Sequence, residues 1–230
     1  MKFLTTTLFL VFSLYGFGQN LTGQIDSFLQ KNVKDGLVDY RAIKANPAEL
    51  NALVNQLNRA PLFEEVNEKA FLINAYNLFV IKGIIDNYPV EGPLKIEGFF
   101  DKRTFRFRGK EITLNKLEKE VLYKQFPDAR LHFALVCAAI GCPKLASFAY
   151  NGNGLESQLE SQTRNVINDP EFIRLSGSQA QVSQIFDWYA SDFGGAEQVI
   201  PFIQKYLLKK VKLNPKYTFY EYDWSLNELK

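Results

Sequence analysis

One histidine and two cysteines are all that the chain contains, and the three fall together in LHFALVCAAIGCP, residues 131–143. Two chemistries suit such a segment. If the protein is exported, Cys137 and Cys142 are a candidate disulfide, with Gly141 and Pro143 supplying the tight loop that so short a ring needs. Residues five apart in an α-helix stand about 7.5 Å apart along its axis, beyond the usual span of a bridge, so the bridge requires a loop at 138–141. If those residues form a helical turn instead, Cys137 lies at its N-terminus, where the dipole and free N–H groups lower a thiol's pKa and make a nucleophile. Bridge and helical turn exclude each other, and both stay open here. His132 and Cys137 point to opposite faces of a strand and lie about 140° apart on a helix. A Cys-His dyad therefore requires a break in the chain just before Cys137; without one, His132 is a satisfied, half-buried imidazole. With no second histidine, a thiol nucleophile would otherwise need a carboxylate or lysine as its base.

The acids discriminate less. Glu118, Asp187, Asp192 and Asp223 lie in apolar or aromatic surroundings, yet with 25 Asp and Glu in the chain no glycosidase-type pair stands out by spacing. Asp187 and Asp192 read as surface residues of a short helix, and Trp188, Tyr189 and Trp224 as core. The chain has no GxGxxG, P-loop, HExxH or CxxC pattern. One His and two Cys do not furnish an ordinary zinc site, so no metal or other cofactor is expected.

The elements that must position these residues begin with EKAFLINAYNLFVIKGIIDN, 68–87, which is apolar nearly all round and predicts a helix buried on most sides. Asn74 and Asn77 share one of its faces with Ala70 and Ile81. They need hydrogen-bond partners, because an unpaired buried amide costs roughly 1–3 kcal/mol. Amphipathic spacing predicts further helices over 21–33, 47–58, 113–125 (with Thr113 as N-cap), 155–167 and 199–208. A short helix in FDWYASDFGG should stop at Gly194-Gly195. Alternation predicts a hairpin over TFRFRGKEIT, the segment at 131–137 reads as an apolar strand, and FIRLS, AQVSQIF and YTFYEYDWSLN complete the strands. Helices dominate without βαβ alternation, so the expected class is α+β: a helix-rich single domain with a buried central helix and a small mixed or antiparallel sheet.

The first twenty residues, MKFLTTTLFLVFSLYGFGQN, read as a Sec-type signal peptide over 1–18, with one basic residue, an apolar run and small residues at Gly16 and Gly18. The apolar run is shorter than the roughly 20 residues that span a bilayer. No cysteine follows it for lipidation. The expectation is one domain over 19–230, secreted or periplasmic, with no transmembrane segment after cleavage. With 27 Lys and Arg against 25 acids, the chain is near neutral, and no nucleic-acid partner is expected. Lys205, Lys209, Lys210, Lys212 and Lys216 read as a solvated face around a helix C-terminus.

The runs AFLINAYNLFVI (70–81), ITLNKLE (112–118), LHFALVCAAIGCP, TRNVINDP (163–170), FDWYASDFGG (186–195) and YEYDWSLN (220–227) together resemble the DUF547 family of uncharacterised proteins across nearly the whole chain after the signal. The resemblance implies that bacterial members are commonly exported, that plant members carry the domain in larger intracellular proteins, and no settled activity. It places the family's recurring positions at Asn74, Tyr76, Asn77, Glu118, His132, Cys137, Cys142, Arg164 and Trp224. The chain departs from it at Leu72, where Trp is frequent, and at Lys119, where His is. Plant relatives usually lack a cysteine at position 142 while often keeping the one at 137, which weighs toward a site at Cys137. Two functions follow as expectations. One is a cysteine-dependent hydrolase or acyltransferase of papain-like or transglutaminase-like logic. There Cys137 is the nucleophile, His132 or Glu118 the base or orienter, and Asn74, Tyr76, Asn77 and Arg164 hold the substrate. The other is a non-enzymatic envelope domain for a small molecule, peptide or glycan, with Cys137 and Cys142 bridged.

Overall fold

The long apolar segment is the axis of the fold. In the computed structural model, which describes residues 20–230, it forms helix α4, Glu65–Asn87, with both asparagines and nearly every residue from Ala70 to Ile85 buried. The expected signal peptide lies outside the described residues. Helix α1 (20–32) buries Leu21, Ile25, Phe28 and Leu29 as its spacing predicts. A two-residue hairpin, β1 (Val33–Lys34) and β2 (Leu37–Val38), follows, turning through Asp35 and Gly36 at φ 52° and 84°. Positive φ at both central residues is the type I′ geometry that matches strand twist. Asp39 caps helix α2 (Tyr40–Ala45), its carboxylate accepting from the Ala42 N–H at 2.8 Å. Helix α3 (Ala48–Arg59) then lies against α4, burying Leu50, Leu53 and Leu57.

The second hairpin, β3 (Thr104–Phe107) with β4 (Lys110–Thr113), turns at Arg108-Gly109, φ 51° and 75°. Its alternation lays Phe105 on Phe79 at 4.8 Å and Phe107 near Phe71 at 5.8 Å, ring centre to ring centre. Arg108 closes the corner by a two-pronged ion pair with Glu68 (2.6 and 2.8 Å).

The helix over 114–125 is capped from Thr113, whose hydroxyl accepts from the Lys116 N–H at 3.2 Å, but between Lys116 and Tyr123 it is a π-helix. Hydrogen bonding from i to i+5 brings residues five apart, here Glu118 and Tyr123, nearer to one face than α-helical spacing does.

The segment read as a strand is corrected. Leu131–Ala134 is one turn of helix, α5, and residues 135–142 run on as an irregular loop. A short run buried on every side shows no period, so apolarity alone does not separate helix from strand. Helix α6 (Leu155–Ile167) packs on α5. Strands β5 (Ile173–Ser176), β6 (Gln179–Val182) and β7 (Tyr217–Phe219) form a mixed sheet, antiparallel between β5 and β6 and parallel between β6 and β7. Helix α7 (Ile185–Trp188) leads into a 3-10 turn, Ala190–Phe193, ended by Gly194 in the left-handed region at φ 92°. Helix α8 is Val199–Tyr206. The class is α+β, with a buried central helix and small mixed and antiparallel sheets.

Candidate functional site

The amides of α4 meet backbone. Asn77 donates from Nδ2 to the Ala134 carbonyl (2.9 Å) and accepts from the Val136 N–H (3.0 Å). Asn74 does the same at Tyr150, donating to its carbonyl at 2.8 Å and accepting from its N–H at 2.9 Å. Each buried amide is thus a surrogate strand, satisfying a donor and an acceptor that irregular chain would leave orphaned. From α6, Gln162 adds a third clamp, its Nε2 donating to Phe133 O (3.0 Å) and Lys144 O (2.8 Å), on either side of the cysteines.

The loop so held is closed by the chain's end. The N–H groups of Ile140 and Gly141 donate to Ser225 O and Asp223 O, both at 2.8 Å, and Asn227 N–H donates to Ala138 O at 3.1 Å. Ala138 stands at φ 64°, a left-handed conformation costly for a residue with a Cβ. Cys137 and Cys142 are joined as a disulfide across this loop, with Cα atoms 6.2 Å apart. The geometric condition for a bridge, a loop and not a helical turn, is therefore met. Tyr222 lies against it: its hydroxyl is 3.1 Å from Cys142 Sγ and 3.2 Å from Cys137 Sγ. Burial holds that phenol well above its ordinary pKa, so it keeps its proton and donates toward sulfur.

His132 takes a different direction. Its Nε2 is 2.9 Å from Asp192 Oδ2, and its ring is flanked by Tyr123 (4.8 Å) and Tyr189 (3.9 Å). Burial lowers the imidazole to about 4, outweighing the Asp192 carboxylate, which favours the charged form. At neutral pH, His132 is an uncharged ring donating to an acid. Asp192 is a surface residue, as read from sequence, and at the same time the partner of His132.

Glu118, carried inward by the π-helix, is buried beside the hydroxyls of Tyr189 and Tyr76. Its pKa is raised, because burial outweighs the favourable influence of those hydroxyls and of the Lys119 charge. Tyr76 is in turn pushed up by burial and by the Glu118 charge. Glu118, Tyr76, Tyr189, Asp192 and His132 thus lie in one polar cluster. Arg164 stays outside it: the guanidinium pairs with Glu160 one turn back on α6, at 2.8 Å and half-exposed. Among the described residues, no group of three or more His, Cys, Asp and Glu is gathered to hold a metal. None of the helices there is long and apolar enough to cross a membrane.

The outer wall is aromatic. Trp188 stacks on Trp224 (5.7 Å, 25° between planes), and both touch Tyr222 at 4.9 and 4.7 Å. Trp188 is 46% exposed and so is not core, contrary to the reading from sequence. Tyr222, Tyr123 and Gln162 are site residues that sequence reading missed; nothing in their spacing marks them.

Residues 62–167 match the family model DUF547, described as a protein of unknown function. That span holds both asparagines, Glu118, His132 and both cysteines, while Asp192, Tyr222 and Trp224 lie beyond it. No curated protein and no solved structure matches the chain.

Proposed function

Because residues 62–167 match a family model that carries no assigned activity, we propose the function from the site alone: an exported, non-enzymatic binding domain for a small molecule, peptide or glycan. One observation carries this reading. The two thiols, the side chains best suited to strong nucleophilic attack, are bridged to each other, while the amides of Asn74 and Asn77 are taken up by backbone. The remaining polar groups lie against one another: His132 is bonded to Asp192, and Glu118 is buried beside two phenols. Such a cluster fixes a loop and supports the aromatic wall beside it. Thiol titration of the native protein tests it. The expected result is no reactive thiol before reduction, two after unfolding in reductant, and no thiol-dependent ester or amide hydrolysis in either state. A fast-reacting thiol in the unreduced protein would overturn it.

A second reading, the cysteine-dependent hydrolase or acyltransferase, is favoured by Cys137 lying only half-buried beside the Tyr222 hydroxyl. A dithiol would have to open the bridge first, becoming a disulfide as Cys137 and Cys142 take up its two hydrogens. Thiol-dependent turnover that appears only after such reduction, and is lost in Cys137→Ser, would establish it.

A further inference from the structure

The aromatic wall has a one-sided electrical setting. The segments that build it, 175–204 and 217–229, contain six carboxylates and no Lys or Arg of their own; Arg174, just before the first, lies over the Tyr220 ring at 3.9 Å, on the sheet and not beside Asp187 and Asp223, the tryptophans' neighbours in sequence. The third strip, 137–141, is uncharged. Five of those acids, Asp187, Glu197, Glu221, Asp223 and Glu228, form no salt bridge among the described residues, Glu228 accepting instead from the Tyr88 hydroxyl. Asp223 is held below the usual carboxylate range by the Ser225 hydroxyl and N–H, so it is firmly ionised. Asp187 precedes Trp188 directly, and Asp223 lies between Tyr222 and Trp224. Beside them Ile140 stands 45% exposed on the strip paired to 223–225.

Exposed aromatic faces flanked by unpaired carboxylates suit a cation, through the ring quadrupole and through opposite charge at once. We propose that this face, Trp188 and Trp224 with Asp187 and Asp223, binds a polypeptide segment bearing lysine or arginine side chains. The inference rests on the binding-domain reading and specifies its ligand. A polypeptide is favoured over a small cation because the wall is an open surface, on which a small ligand buries little of itself, whereas an extended chain spreads several cations along it.

Trp188 and Trp224 are the chain's two tryptophans, so their fluorescence reports on this face directly. The full-length protein, processed as the cell leaves it, is titrated with decalysine and with its fully acetylated analogue. The expected result is a saturable change with decalysine alone, weakened at least tenfold between 50 and 200 mM salt. The D187N/D223N double variant, altered only at exposed positions, should bind at least tenfold more weakly with unchanged circular dichroism. Equal response to the acetylated peptide, saturable binding of a neutral oligosaccharide in its place, no response, or full affinity in D187N/D223N would each overturn the proposal. In any of those cases a native protein still lacking reactive thiols leaves the binding-domain reading standing, so the two fail separately.

Discussion

The side-chain amide of Asn77 bonds the backbone on both sides of Leu135, accepting from Val136 and donating to Ala134, and so fixes the chain one residue before Cys137. A helix buried all round is thereby joined to a loop that has no regular hydrogen bonding of its own. Replacing Asn77 by Ala leaves a carbonyl and an N–H buried and unpaired, at roughly 1–3 kcal/mol each. The expected loss is about 2–6 kcal/mol for the two groups together, read as a lowered urea midpoint. A substrate-holding amide would instead leave stability near wild type.

The bridge closes a ring of only a few residues, so its constraint on the unfolded chain is small. For a loop of about five residues the chain-entropy relation gives about 2 kcal/mol at 25 °C. Cys142→Ser should be less stable by that amount in non-reducing buffer and should show one titratable thiol at Cys137. An unchanged urea midpoint, or a reactive thiol already present in wild type, would remove the bridge from the account.

His132 and Glu118 impose opposite pH slopes. The imidazole, lowered to about 4 by burial against an ordinary 6.5, is neutral in the folded protein. Between those values the unfolded chain binds the extra proton, so stability present above pH 6.5 is lost as pH falls toward 4, by on the order of 3 kcal/mol. His132→Gln should flatten that slope in urea midpoints taken across the range.

Glu118 runs the other way. Its pKa is raised above 4.5 by burial, so the folded state holds a proton that the unfolded chain releases. The stabilisation is complete below pH 4.5 and is lost as pH rises through the folded pKa. Glu118→Gln, which keeps an oxygen beside the hydroxyls of Tyr76 and Tyr189, should gain on wild type steadily as pH rises above 4.5. A stability difference independent of pH would show that Glu118 titrates as it does in the unfolded chain.

What was legible in the sequence divides along range. Helix α4 announced itself because a long segment apolar on every side has one use in a protein of this kind, and β3–β4 because Phe105 and Phe107 alternate with arginines. The need of Asn74 and Asn77 for partners was legible too, though the partners were not. The site's decisive contacts join distant segments, His132 to Asp192 across 60 residues and Cys137 to Tyr222 across 85. No local pattern encodes those. The π-helix was hidden as well, since Leu114, Leu117, Val121 and Leu122 fit an ordinary helix, and its effect appears only in Glu118 facing inward.

Arg164 separates family resemblance from site membership. Its guanidinium is half-exposed, pairs with Glu160 at i−4 and lies 6.0 Å from the Tyr206 ring. Exposed pairs of this spacing contribute about 0.3–0.5 kcal/mol. Arg164→Ala should therefore shift the urea midpoint by no more than that and leave the decalysine response of Trp188 and Trp224 unchanged. Because Arg164 belongs to α6, the helix whose Gln162 clamps the cysteine loop, a larger effect would have to pass through that helix and would appear equally in Gln162→Ala. A loss of ligand response in Arg164→Ala with Gln162→Ala unaffected would instead return Arg164 to the binding face, away from its pair with Glu160.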